Sequence, residues 1–567
     1  MPRCDCSSNG KRYSSDADSR CASAGPAANT GDALGDTFVS IEGLWGSNFN
    51  DILIGDSNNN NLDGSSGADV LDGQGGFDYA RYTSSNFGLT VSLADPSQNT
   101  GDAVGDTYTS IEGLIGSNFN DVLIGDGANN TLRGDGGADV LNGGAGFDAA
   151  EYSQSSSGLT VDLATPANNT GEATGDTFIS IENIIGSAFA DILRGDGNNN
   201  LLDGGDGADH LEGGAGIDYA WYNSSPVGVT ASLANPGINT GYAIGDVYVS
   251  IEGLVGSSFS DILIGDGGSN RLRGGTGADQ LDGGGGFDVA DYINSSTGLV
   301  VDMLNPNNNT GEAAGDTYTS IESLRGSSFN DTLRADNGGR ILEGGTGGDA
   351  LIGGTGFDFA AYWNSASGVT VSLADPLQNT GEAFGDTYSS IEGLIGSSSA
   401  DTLIGDANNN VLRGSLGADV LNGGGGIDTA DYSNTLFFPS GIGVTADLAN
   451  SANNTGDAAG DTYVSIENVT GSQYSDRLHG NSSDNVLTGG SGNDTFVFGL
   501  GDGHDRLSDF VQGQDKVDLT IGLTEAALQT LINSMSGSDL VFANGEILTF
   551  AGVSVNTLNA HTDFVLH

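Results

Sequence analysis

"GSNFNDILIGDSNNNNLDGSSGADVLDGQGGFDYAR", residues 46 to 81, divides into four nonapeptides: GSNFNDILI, GDSNNNNLD, GSSGADVLD and GQGGFDYAR. Each opens with Gly and carries Asp or Asn at its sixth position; the eighth is usually aliphatic. Glycine permits the positive φ and close backbone approach of a tight turn, so the first six residues read as a loop. The last three read as a short strand with one side chain turned inward. Two nonapeptides then complete one coil, and stacked coils pair their strands in parallel about 4.8 Å apart. Residues 18 apart fall one above the other: Asp51 over Asp69 on one edge, Asn60 over Asp78 on the other.

Working outward, the block recurs. "NTGDALGDTFVSIEGLWGSNFNDILIGD" begins at Asn29, and close copies begin at Asn99, Asn169, Asn239, Asn309 and Asn379, a period of 70 residues. A seventh copy begins at Asn454, displaced by five residues within "TLFFPSGIG" (Thr435 to Gly443). Between nonapeptide blocks lies a 34-residue spacer such as Tyr82 to Ile115, with two strand-like runs, "GLTVSLADP" and "DTYTSIEGLI". In "TSIEGLIGS" the spacing is again that of a nonapeptide, with Glu112 at the sixth place, so the spacer is expected to continue the coil. Such repetition predicts a solenoid of units stacked on copies of themselves.

The chain has 95 Gly, 75 Asp+Glu and 16 Lys+Arg among 567 residues, a formal net charge of -59. That balance argues against nucleic acid or an anionic membrane as partner. Stacked carboxylates repel, and a hard divalent cation between coils resolves the repulsion. Calcium takes six to eight oxygens from carboxylates and backbone carbonyls, which Gly-rich loops expose.

"GGAGFDAAE" (Gly143 to Glu151), "GGTGADQLD" (Gly274 to Asp282) and "GGSGNDTFV" (Gly489 to Val497) resemble the RTX, or hemolysin-type, calcium-binding repeat. The resemblance implies an all-β, right-handed parallel β-roll with many calcium ions between coils, and export by a type I secretion apparatus. Carried onto this chain, its sixth positions give these metal ligands. In the first nonapeptides they are Asp51, Asp121, Asp191, Asp261, Asp331, Asp401 and Asp476. In the second they are Asn60, Asn130, Asn200, Asn270, Asn410 and Asn485, which add no charge and predict weaker sites. In the third they are Asp69, Asp139, Asp209, Asp279, Asp349, Asp419 and Asp494, and in the fourth Asp78, Asp148, Asp218, Asp288, Asp358, Asp428 and Asp505. Arg340 stands at the second position of the fifth unit, a cation where calcium belongs, so that site is expected to be lost. The tyrosines at Tyr82 and its equivalents read as structural. The Asn99-Thr100 pairs read as turns, and "NNN" at Asn58 to Asn60 as a solvated turn.

Residues 1–25 fall outside the repeat, hold Cys4, Cys6 and Cys21, and are expected to be disordered; residues 26–497 form the solenoid. Residues 498–567 are expected to be a cap of strands with one short helix at "TEAALQTLINSM" (Thr524 to Met535), N-capped by Thr524. That segment resembles the C-terminal part of serralysin-type secreted proteins, which implies an export signal. No apolar stretch follows Met1 as in a cleavable signal. The repeat starts mid-unit at Pro26, which leaves a longer protein upstream open. None of His210, His479, His504, His561 and His567 lies in H-E-x-x-H, and no G-x-S-x-G or phosphate-binding loop occurs. The reading is therefore a non-enzymatic, secreted, calcium-folded scaffold, adhesin or surface-associated protein, with no membrane insertion. The alternatives are the tail of an exported enzyme or toxin, or a polysaccharide-binding module.

Overall fold

The structure is a computed structural model that describes residues 20–22, 41–433 and 441–567. The N-terminal segment 1–25, apart from the strand Arg20–Ala22, and most of the insertion after Asn434 lie outside the described residues. The chain forms two compact units, residues 1–288 and 289–567.

In the first unit, three-residue strands stack as the nonapeptide spacing predicts. Gly43–Trp45, Asn61–Asp63, Tyr79–Arg81, Gly113–Ile115, Thr131–Arg133 and Ala149–Glu151 pair in that order, all parallel. The ladder continues to Arg271–Arg273. The intervening strands form shorter sheets. One pairs Arg20–Ala22, Ile52–Ile54, Val70–Asp72 and Thr107–Thr109; the next pairs Thr90–Ser92, Val122–Ile124, Val140–Asn142 and Thr177–Ile179. The middle residue of each strand points inward. Leu44, Leu53, Leu62, Leu71, Ala80 and Leu114 are at most 1% exposed. This is a parallel β-roll, with a narrow aliphatic core one side chain deep from each face.

The spacer does continue the coil. Thr90–Ser92 leads through 3₁₀ turns at Pro96–Gln98 and Gly101–Ala103 to Thr107–Thr109 and Gly113–Ile115. Gly101 (φ 64°) and Gly105 (φ 88°) sit in the left-handed region that side chains disfavour. The Asn-Thr pair closes this turn: the N–H of Ser92 donates to Asn99 Oδ1 at 2.8 Å and that of Thr90 to Thr100 Oγ1 at 2.7 Å. Thr107–Thr109 closes one short sheet while Thr90–Ser92 opens the next, so each spacer interrupts the second face.

The second unit repeats this pattern from Val289–Asp291 to His504–Leu507 and ends differently. Ile547–Phe550 adds in parallel to His504–Leu507 and receives Asp539–Val541 antiparallel. The helix Glu525–Ser534 is capped by Thr524 and buries Leu528 and Ile532, as its spacing predicts. Phe510, Phe550 and Phe564 meet edge to face, with centroids 5.0 and 6.3 Å apart.

The units also alternate, a feature the 70-residue period conceals. The ring of Tyr79 lies over Gly113, that of Tyr219 over Gly253 and that of Phe359 over Gly393, each pair aligned across neighbouring strands. In the units between, the aligned pairs are Ala149 with Asn183, Val289 with Ser323 and Thr429 with Asn468. The true period is two units.

Candidate metal centres

The stacked loops are tied through their sixth-position side chains. The N–H of Asp51 donates to Asp69 Oδ1 at 2.7 Å, and that of Asn60 to Asp78 Oδ1 at 2.6 Å. The same pairing joins Asp121 to Asp139, Asn130 to Asp148, Asp191 to Asp209 and Asn200 to Asp218. In the first unit it also joins Asp261 to Asp279 and Asn270 to Asp288. In the second unit it joins Asp331 to Asp349, Asp401 to Asp419, Asn410 to Asp428, Asp476 to Asp494 and Asn485 to Asp505.

The four positions nevertheless differ in chemistry. First-position aspartates are saturated by donors from their own loop and from just before a preceding strand. Ser117 gives both its N–H and its hydroxyl to Asp121, whose Oδ1 also accepts from Leu89 N–H. Ser187, Ser257, Ser327, Ser397 and Ser472 treat Asp191, Asp261, Asp331, Asp401 and Asp476 alike. The second-position amides are also engaged at both ends. Asn130 Oδ1 accepts from Asp126 N–H, and its Nδ2 donates to the carbonyl of Glu112 at 3.3 Å. Asn200, Asn410 and Asn485 do the same with Glu182, Glu392 and Glu467. A carboxylate could not make that donation, which gives Asn a reason at this position beyond weak ligation.

Third- and fourth-position aspartates carry the orphaned oxygen. Oδ2 of Asp69, Asp78, Asp139, Asp148, Asp209 and Asp218 is buried without a hydrogen-bond partner. So is Oδ2 of Asp349, Asp419, Asp428 and Asp505. Burial, with the carboxylates of Asp106, Asp51 and Asp63 nearby, outweighs the hydrogen bond from Asp51 and pushes Asp69 up to about 8. Asp139, Asp209, Asp349 and Asp419 reach about 8 for the same main cause, burial, and Asp78 and Asp218 about 6. A buried carboxylate without a counter-charge is costly, and a cation relieves it. The space is kept by glycine: a Cβ on Gly64 would strike Asp69 Oδ2, and one on Gly73 would strike both Asp78 Oδ2 and the Ser110 carbonyl. Ser110 holds φ 49°, and Ser180, Ser250, Ser320, Ser390 and Ser465 lie between 48° and 52°. Among the described residues no group of three or more acidic, imidazole or thiol side chains is placed to hold a metal ion, so a cation here must take much of its shell from carbonyls. Buried oxygens and glycine cradles suit calcium.

The spacer supplies partners that nonapeptide counting misses. The N–H of Asp69 donates to Asp106 Oδ1 at 2.8 Å, and Tyr82 donates its hydroxyl to Asp106 Oδ2 at 2.7 Å. Tyr82 is buried, as are Tyr152, Tyr222, Tyr362 and Tyr432, which bond Asp176, Asp246, Asp386 and Asp461 in the same way. These tyrosines are structural, as their spacing suggested. Glu112 accepts from Asp78 N–H at 2.8 Å.

Arg340 breaks the series. Its guanidinium grips Asp336 with two bonds of 2.8 Å and lies 3.5 Å from Glu322. Asp358 accepts from Arg340 N–H at Oδ1 and from Gly354 N–H at Oδ2, so its carboxylate has no orphaned oxygen. An internal cation thus stands in this loop.

This geometry defines a cation-binding β-roll. The family model for the RTX calcium-binding nonapeptide repeat matches residues 45–80, 115–149, 185–220, 255–290, 395–430 and 470–505, and passes over the block that contains Arg340. The chain carries RTX-type repeats of the calcium-binding kind across these residues. No curated protein matches it. Among solved structures it is similar to the extracellular lipase LipA from Serratia marcescens, at 16% identity and a TM-score of 0.13. That match covers 68% of this chain and 40% of the lipase chain. No helix among the described residues is long and apolar enough to cross a membrane.

Proposed function

We propose that this protein is a secreted scaffold or surface-associated protein that folds when calcium binds between its coils. The observation that carries this is the buried, partnerless Oδ2 of the third- and fourth-position aspartates. Without a cation these oxygens oppose the fold; with one they hold it. Binding energy then becomes folding energy. Extracellular calcium modules bind at about 10⁻⁴ to 10⁻³ M, so the chain stays open in low-calcium cytosol and folds outside. Export through a type I apparatus, directed by residues 498–567, fits that order of events. The periodic carboxylates serve metal binding rather than catalysis, and no turnover is expected of this chain. Cell-surface or polysaccharide partners belong to the same reading. Circular dichroism during a calcium titration of the full chain, with magnesium as control, tests it. A β spectrum appearing only with calcium is expected; a full β spectrum in excess chelator would overturn it.

A further inference from the structure

The alternation of units leaves the ring missing at Ala149, Val289 and Thr429, and the first of these differs from the other two. Tyr79 and Tyr219 fill the surface between their own strand and the next by lying over Gly113 and Gly253. At the same point of the intervening unit stands Ala149, aligned with Asn183. The vacated space is a cavity of about 280 Å³ walled by Phe77, Phe147 and Trp221, with Asn183 and Asp203 in its lining. The equivalent pairs elsewhere are self-satisfied: Ser323 donates to the Ile341 carbonyl, and Asn468 accepts from Val486 N–H. Asn183 Oδ1, by contrast, is buried with no hydrogen-bond partner.

We propose that this slot binds one pyranose ring of a neutral polysaccharide. The space is that of a flat six-membered ring, because a tyrosine ring occupies its counterparts. The walls are aromatic, and Asn183 Oδ1 in the lining is a buried acceptor without a donor; the Asp203 carboxylate beside it already accepts from Gly205 N–H at 3.0 Å. A sugar offers an apolar ring face together with hydroxyl donors; an aromatic side chain offers the face but few donors. An apolar pocket with a few convergent polar groups is the usual form of a small-ligand site. The inference goes beyond the calcium scaffold and does not require the calcium sites to be assigned correctly.

The test is calorimetric titration of the calcium-loaded full chain with cellohexaose, maltohexaose and chitohexaose, and separately with p-cresol. The comparison is the double variant Ala149→Tyr/Asn183→Gly, which reproduces the Tyr79–Gly113 pair and so should fold; circular dichroism checks that it does. Saturable binding of at least one hexasaccharide, weakened about tenfold or more in the double variant, is expected. Failure of all three sugars to bind, binding unchanged in the variant, or binding of p-cresol alone overturns the proposal. Failure of the calcium titration would leave this result readable, since the two rest on different residues.

Discussion

The N–H of Asp121 donates to Oδ1 of Asp139, 18 residues further on, at 2.8 Å. The two aspartates occupy the same position of their repeats, yet Asp121 is saturated by Ser117 while Asp139 keeps Oδ2 free. Replacing Asp139 by Asn should therefore lower the number of bound calcium ions by about one. Asp121→Asn should weaken the fold and leave that number unchanged. Equilibrium dialysis at saturating calcium separates the two. Equal losses would show that position alone, not the serine, decides ligation.

Arg340 should behave as a built-in substitute for calcium. Arg340→Asn combined with Ala335→Gly restores the repeat pattern of the other units. The double variant should bind about one further ion beside Asp358. An unchanged stoichiometry would show that the loop, not the guanidinium, excludes the metal.

The buried tyrosine ladder predicts a cost with no gain in ligand. Tyr222→Phe leaves Asp246 Oδ2 without the hydroxyl that bonds it at 2.7 Å. The expected destabilisation is about 1–3 kcal/mol, the usual penalty for an unsatisfied buried polar group. It should be confined to nearby coils, as stacked repeats predict. Thermal melts and amide exchange of the calcium-loaded protein measure both its size and its spread.

His479 sits between Asp447 and Asp502, 3.0 and 3.2 Å away. Burial opposes its charge, but the hydrogen bonds to the two carboxylates win and raise it from 6.5 to about 9. A histidine raised on folding contributes stability fully present below about 6.5, and that contribution fades as pH rises through about 9. His479→Gln should thus lower the melting temperature near pH 6 and make little difference near pH 10. A gap that stays constant across that range would show that the ring acts by packing alone.

The coil was legible because its signal is local. Gly at the first place, Asp or Asn at the sixth and an inward residue at the eighth predict the pairing of Asp51 with Asp69 without reference to anything distant. Asp106 escaped the same reasoning because it meets Asp69 across 37 residues, through a spacer whose turns have no fixed period. The difference between Asp121 and Asp139 did leave a trace, the serine at the second place of first nonapeptides. It gains meaning only when the hydroxyl is seen on the carboxylate. The slot at Ala149 was invisible for the opposite reason: its signal is a missing side chain, and a 70-residue comparison averages it away.

The amide-to-carboxylate bonds of these columns run toward the C-terminus, while the strand bonds beside them run back: Val70 N–H donates to the Asp51 carbonyl and Thr107 N–H to that of Asp69. Asp51 donates to Asp69 and Asp69 to Asp106; near the other terminus Asp476 donates to Asp494 and Asp494 to Asp515. Successive layers are therefore held by bonds of both directions, one to a side chain and one to the backbone. Removing the layer before Asp69 bares its carboxylate oxygen and the Val70 amide; removing the layer after Asp51 bares its amide and its carbonyl. Each coil thus offers a donor and an acceptor on both sides, so ordering can begin in any coil and spread either way.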